Sequence, residues 1–184
     1  VLTRTRSIIK IAKRSDFKRV ERDYYRTFDP KAGEALRPFI NGIEAAIEPF
    51  AGAGDLTNQF PEIHWRQTDI EPQSDYINQR DAFDYTKEEI LKFDAIITNP
   101  PWSRPILHKS IEYFAPIIQT WMLLDANWLF TKQAGPYIEK YLTDVVTIGR
   151  VKWIPDTTMS GKDDCCWYRF SSDKDAPTRF YGRK

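Results

Sequence analysis

Cysteine and histidine are almost missing from this 184-residue chain, with two of each. The cysteines are neighbours, Cys165 and Cys166. Adjacent strand residues point to opposite faces and a vicinal disulfide is strained, so the pair reads as two free thiols in a reducing compartment. His64 and His108 lie far apart with no Cys/His cluster around them, which argues against a structural metal site. No stretch approaches the about 18 consecutive apolar residues of a membrane-crossing helix. The first residues also lack the apolar centre of a signal peptide. An excess of either sign of charge is missing overall, since 27 Lys/Arg stand against 26 Asp/Glu for a net charge of +1. Its distribution is uneven. Residues 1–26 carry nine Lys/Arg against three acids, leaving the remainder acidic. A basic leader (1–22) of this kind suits either plain solvation or a phosphate-bearing partner.

What is present is the composition of a globular protein, 41% hydrophobic and 29% charged. With no repeats, low-complexity tract or linker, residues 1–184 read as one domain, long enough to bury a core. Short apolar runs at 44–50, 63–70, 93–99, 120–130, 144–154 and 165–170 read as strands, with a weaker one near 76–83. Helices are expected near 30–40, 54–60, 86–92, 104–116 and 132–142. Asp29 followed by Pro30 is a start signal for the first. Strands apolar on both faces and alternating with helices imply an α/β fold, a mostly parallel sheet covered on both sides. The turn-rich segment "PDTTMSGKDD" is too short for a helical crossover, so the last two strands should form an antiparallel hairpin at one end of the sheet.

In such a sheet ligands bind beyond the carboxyl ends of the strands. Those ends carry a consistent set of groups. After the first strand comes "EPFAGAGD", Glu48 to Asp55, where Gly52 and Gly54 permit a sharp turn and close approach of a ligand. No Gly-Lys-Ser/Thr follows, which removes support for a Walker loop, and Thr57 stands where a dinucleotide fold needs its third glycine. After the second strand, Asp69 of "TDIEP" is placed to meet a ribose. After the third, Asp81 could accept from an adenine amino group and Phe83 could pack on its ring. After the fourth, "DAIITNPPWS" ends a buried run with Asn99, Pro100, Pro101 and Trp102. The Asn99 amide oxygen and the Pro100 carbonyl are two acceptors for a planar NH₂ group, and Trp102 offers a stacking face.

Together "EPFAGAGD" and "TNPPW" resemble the class I S-adenosylmethionine-dependent methyltransferases acting on exocyclic or amide nitrogens, above all the DNA adenine-N6 enzymes. A third match, "DYYRTFDPKAGEALRPFI" (23–40), resembles the segment that contacts the methionine end of the cofactor in that family. Here Tyr24, Tyr25 and Thr27 match best. The resemblance spans about residues 22–170 and implies a Rossmann-like methyltransferase fold with S-adenosyl-L-methionine as cofactor. The cofactor residues it implies are Tyr25, Thr27, Glu48, Pro49, Phe50, Gly52, Gly54, Asp69, Ile70, Asp81 and Phe83. The catalytic ones are Asn99, Pro100, Pro101 and Trp102, acting without a metal. The terminal hairpin loop should line the target pocket through Trp153, Pro155 or Met159. Only residues 171–184 are expected after the last strand, leaving no room for a separate recognition domain. The partner implied is DNA, with RNA as the alternative, for a monomer or weak dimer in a bacterial or phage-infected cytoplasm. A non-catalytic nucleic-acid-binding subunit is the reading of a different class.

Overall fold

In the computed structural model, which describes residues 25–155 and 160–183, the apolar runs form strands whose side chains alternate between two cores. Strand β1 (Ala45–Glu48) sends Ile47 to one core and Ala46 to the other. Strand β4 (Ala95–Thr98) divides Ile96 from Ala95 and Ile97 in the same way. Strand β5 (Thr120–Asp125) gives Met122 and Leu124 to the first core, Trp121 and Leu123 to the second. Helix α3 (Arg104–Phe114) covers the first through Leu107, Ile111 and Phe114. Helix α1 (Pro30–Leu36) covers the second through Ala32 and Leu36. A strand period of two with apolar residues in both phases needs cover on both faces. Each large side chain so buried contributes roughly 1.5–3 kcal/mol.

The sheet also contains β2 (His64–Asp69), β3 (Asn78–Gln79), β6 (Leu142–Arg150), β7 (Asp164–Phe170) and β8 (Arg179–Tyr181), in the order β3-β2-β1-β4-β5-β7-β6-β8. Strands β1 to β5 pair in parallel, whereas β7 runs antiparallel to both β5 and β6. The hairpin expected at one end therefore exists, but β7 inserts between β5 and β6. The edge is instead β8, which pairs parallel to β6 and falls in the segment read as strand-free.

Several expected elements are shorter, each for a local reason. The helix expected over 54–60 is only a 3₁₀ turn, Thr57–Gln59. Gly52 and Gly54 hold φ of 53° and 83°, so the chain enters through turns. The run 120–130 stops as a strand at Asp125, whose carboxylate accepts from Asn127 N at 2.8 Å and starts a 3₁₀ segment, Ala126–Phe130. Asp81 caps Phe83 N at 2.9 Å, which opens the turn Ala82–Asp84 and limits β3 to two residues. Helix α2 (Lys87–Ile90) is framed by a capping box of Thr86 and Glu89. Helix α4 (Gly135–Lys140) has its proline in the first turn. No helix among the described residues is long and apolar enough to cross a membrane. Residues 1–22, Tyr24 and Met159, singled out above, lie outside the described residues.

Candidate active site

Strand order reverses between β1 and β4, where the chain turns to one side through β2 and to the other through β5. Beyond the carboxyl ends at this switch point lies a cleft of about 1300 Å³. Tyr25, Thr27, Glu48, Pro49, Phe50, Gly52, Asp69, Ile70, Asp81, Phe83, Asn99 and Pro101 all line it. Gly54, Pro100 and Trp102 are not among its lining residues.

The glycine turn is held open by the neighbouring strand. Gly52 N donates to Asp69 Oδ2 at 2.8 Å, and Ala51 N to the Thr68 carbonyl at 3.0 Å. Asp69 Oδ1 accepts from Glu71 N at 2.8 Å, so each carboxylate oxygen has one backbone donor and keeps further acceptor capacity. A Cβ at Gly54 would lie 2.3 Å from Tyr76 Oη, and its φ of 83° also excludes larger residues. Beneath the turn Glu48 is 1% exposed. Its Oε1 accepts from Thr98 Oγ1 at 2.6 Å and from Phe50 N at 3.3 Å, while Oε2 has no partner among the described residues. Burial pushes this carboxyl up to about 8, against the hydrogen bonds from Thr98 and Phe50.

The end of β4 is tied to the segment preceding α1. Asn99 Nδ2 donates to Thr27 Oγ1 at 2.9 Å, and Asn99 Oδ1 accepts from Trp102 Nε1 at 3.2 Å. The same indole N–H faces the Leu123 carbonyl at 3.0 Å. Trp102 is half-buried and packs against both cores. Its ring meets Trp153 edge-on at 5.5 Å, and Trp153 meets Tyr25 at 6.4 Å. Of the loop residues considered for the target pocket, Trp153 is in ring contact with this aromatic group, and Met159 lies outside the described residues. Gly161 backs it, since a Cβ there would fall 2.7 Å from Trp153 Nε1.

Asp81 and Phe83 lie on the cleft, with Asp81 Oδ1 engaged by Phe83 N. Lys109 Nζ sits 3.7 Å over the Phe83 ring, so a planar ligand packing on that face displaces an exposed lysine. Lys109 was not foreseen, nor were Arg26, Asp55 and Gln59. Arg26 grips Asp55 through two bonds of 2.7 Å across 29 residues, beside the glycine turn. Gln59 Nε2 donates to the Thr27 carbonyl and its Oε1 accepts from Gly33 N. Such pairings have no local spacing to betray them. Both cysteines are buried and free, with their pKa raised chiefly by burial, as expected of inert thiols.

No family model matches the sequence, and no curated protein matches it. Solved structures do. A protein assigned to the class I S-adenosylmethionine-dependent methyltransferases from Listeria monocytogenes superposes with a TM-score of 0.51 at 11% identity, over 83% of this chain and 62% of that one. A dimethyladenosine transferase from Plasmodium falciparum gives 0.45 at 15% identity, over 76% and 60%. A protein assigned as an RNA methyltransferase from Pyrococcus horikoshii gives 0.43 at 15%, over 77% and 80%. The chain spans about three fifths of the length of the first two. The fold is the α/β, Rossmann-like fold of class I methyltransferases.

Proposed function

We propose that this chain transfers a methyl group from S-adenosyl-L-methionine to the exocyclic N6 of adenine in DNA. The observation that carries the reading is the Asn99 amide at the end of β4, oriented between two partners on a cleft that also holds Glu48, Asp69 and the glycine turn. At about 1300 Å³ the cleft exceeds the roughly 300–1,000 Å³ usual for one small ligand, which suits a cofactor and a target base together.

The residues present fit the cofactor. Glu48 Oε2, buried and without a partner among the described residues, is the group to accept the ammonium of its methionine part. Asp69 keeps acceptor capacity for ribose hydroxyls, and Asp81 with Phe83 flanks the place for an adenine ring. When bound, the cofactor supplies an electrophilic methyl on a sulfonium. On the target side, the lone pair of an adenine N6 is delocalised into its ring and is poorly nucleophilic. Asn99 Oδ1 and the Pro100 carbonyl, each accepting one N–H, draw the nitrogen toward tetrahedral geometry and aim its lone pair at the methyl. No base is needed beforehand, because the methylated nitrogen sheds its proton readily afterwards. An adenine within a duplex must be flipped out to reach these acceptors, and Tyr25, which lines the cleft and meets the Trp153 ring, is an aromatic group available to receive it.

Incubation with methyl-labelled cofactor and matched single-stranded DNA, duplex DNA and RNA, followed by nucleoside analysis, tests this. N6-methyldeoxyadenosine is expected. Label confined to RNA would transfer the reading to RNA, and cofactor binding without any transfer would favour a binding subunit. Asn99→Ala should lower turnover by roughly 10²–10³-fold, as for loss of one preorganised transition-state contact, with cofactor affinity nearly unchanged.

A further inference from the structure

Trp102 is not among the residues lining the cleft, and what it presents to Asn99 is an N–H rather than a ring face. Its Nε1 lies 3.2 Å from Asn99 Oδ1 and 3.0 Å from the Leu123 carbonyl, while its ring is wedged between both cores and held edge-on by Trp153. On the other side of the same amide, Thr27 Oγ1 accepts from Asn99 Nδ2 at 2.9 Å. Thr27 is 6% exposed, and Gln59, which bonds the Thr27 carbonyl, ties it to α1.

An indole nitrogen only donates, and an amide carries an acceptor at one end and donors at the other. Turning the Asn99 amide over would set its NH₂ against the Trp102 N–H, donor against donor. One orientation survives, with the oxygen beside Trp102 and the nitrogen on Thr27. The oxygen has two lone pairs, so one bond from Trp102 leaves a second acceptor site for a substrate amine.

We propose that Trp102, through its indole N–H, and Thr27, through its hydroxyl, are positioning residues that hold the Asn99 oxygen toward the substrate amine that attacks the methyl. The proposal rests on the methyl-transfer reading and departs from the stacking role that the motif alone suggests for Trp102. Thr27 stands on the segment expected to touch the cofactor, so it links cofactor side and target side by one hydrogen bond. An acceptor displaced by about 1 Å can cost on the order of 10²-fold in rate, which sets the scale of the effect.

The test is a set of near-isosteric variants with kcat, KM for DNA and cofactor Kd measured on each. Trp102→Phe keeps an aromatic face and loses the N–H, so kcat should fall roughly 10–100-fold with cofactor Kd within about twofold. Thr27→Val should lower kcat by a similar factor, and Thr27→Ser should restore kcat to near the unaltered value. The Thr27→Val/Trp102→Phe pair should lose less than the product of the single effects, since both act on one amide. Unaltered kcat in Trp102→Phe alongside a loss in Trp102→Ala would overturn the proposal in favour of stacking. So would failure of Thr27→Ser to rescue. A second readout needs no activity. The Asn99 side-chain ¹⁵N amide signals, assigned with Asn99→Asp, should shift and exchange faster in Thr27→Val, and unchanged signals overturn the proposal. Absence of methyl transfer by the unaltered protein would count against the parent reading, while the amide signals still decide the orientation.

Discussion

At the scale of single residues, Glu48 is the least ordinary group in the cleft. It is 1% exposed, one carboxyl oxygen has no partner among the described residues, and burial raises its pKa to about 8 from an ordinary 4.5. In the folded, cofactor-free protein it therefore holds a proton across a range in which the unfolded chain has released it. The native state binds more protons than the unfolded one between those two values, so stability must fall as pH rises through them, by about 1.4 kcal/mol per unit. The contribution is whole below pH 4.5 and gone above about 8. His108 opposes this only below its ordinary 6.5, because burial lowers its pKa. Urea denaturation from pH 6.5 to 8 isolates the carboxyl. The unaltered protein should lose stability over that window, and Glu48→Gln, which cannot ionise, should stay nearly flat. Parallel curves for the two proteins would refute the assignment. The stretch "EPFAGAGD" marks Glu48 as a candidate for the cleft, which it lines, but nothing in that stretch marks it as protonated. Its state comes from burial in the folded sheet, against the hydrogen bond from Thr98, fifty residues away and brought alongside by the pairing of β1 with β4.

At the scale of elements, local signals were legible and long-range ones were not. Asp29 and Pro30 announced α1, and the Asp29 side chain does accept from Lys31 N at 3.1 Å. Its other oxygen accepts from Lys152 N at 2.8 Å, 123 residues on, which fastens α1 to the chain following β6. Asp29→Ala should thus cost more than a simple cap, about 2–4 kcal/mol, because it also strands a partly buried amide. A loss near 1 kcal/mol in chemical denaturation would mean that the Lys152 bond contributes nothing. The same distinction explains the misjudged boundaries. The run 120–130 is apolar apart from Thr120, Asp125 and Asn127, and Asp125 ends the strand by capping its own successors. Strand β8 carries only three residues, two of them exposed, and no alternation long enough to reveal it.

At the scale of the molecule, stability and chemistry sit at different places along the sheet. The cleft opens at the ends of β1, β2, β3 and β4, whereas β8 lies at the far edge beyond β6. That edge is fixed by Asp144 of β6, 2% exposed. Its Oδ1 accepts from Arg179 Nε at 2.9 Å and Tyr181 Oη at 3.3 Å, and its Oδ2 from Arg169 Nη1 at 3.4 Å. Arg179 and Tyr181 both belong to β8. Ending the chain at Pro177 removes them, leaves Asp144 with Arg169 alone, and uncovers the backbone of β6. A buried carboxylate stripped of most of its donors is costly, so a loss on the order of 2–4 kcal/mol is expected, lowering Tm by roughly 5–15 °C. An open, apolar strand edge also invites pairing with a second copy, so association should rise with protein concentration in sedimentation. The proposed cofactor, placed in the cleft several strands away, should keep its Kd within about threefold at temperatures where the truncated fold persists. Collapse of cofactor affinity in a still-folded truncation would show instead that the edge and the cleft are coupled through the sheet. In that case the reading of β8 as a purely structural cover would have to be abandoned.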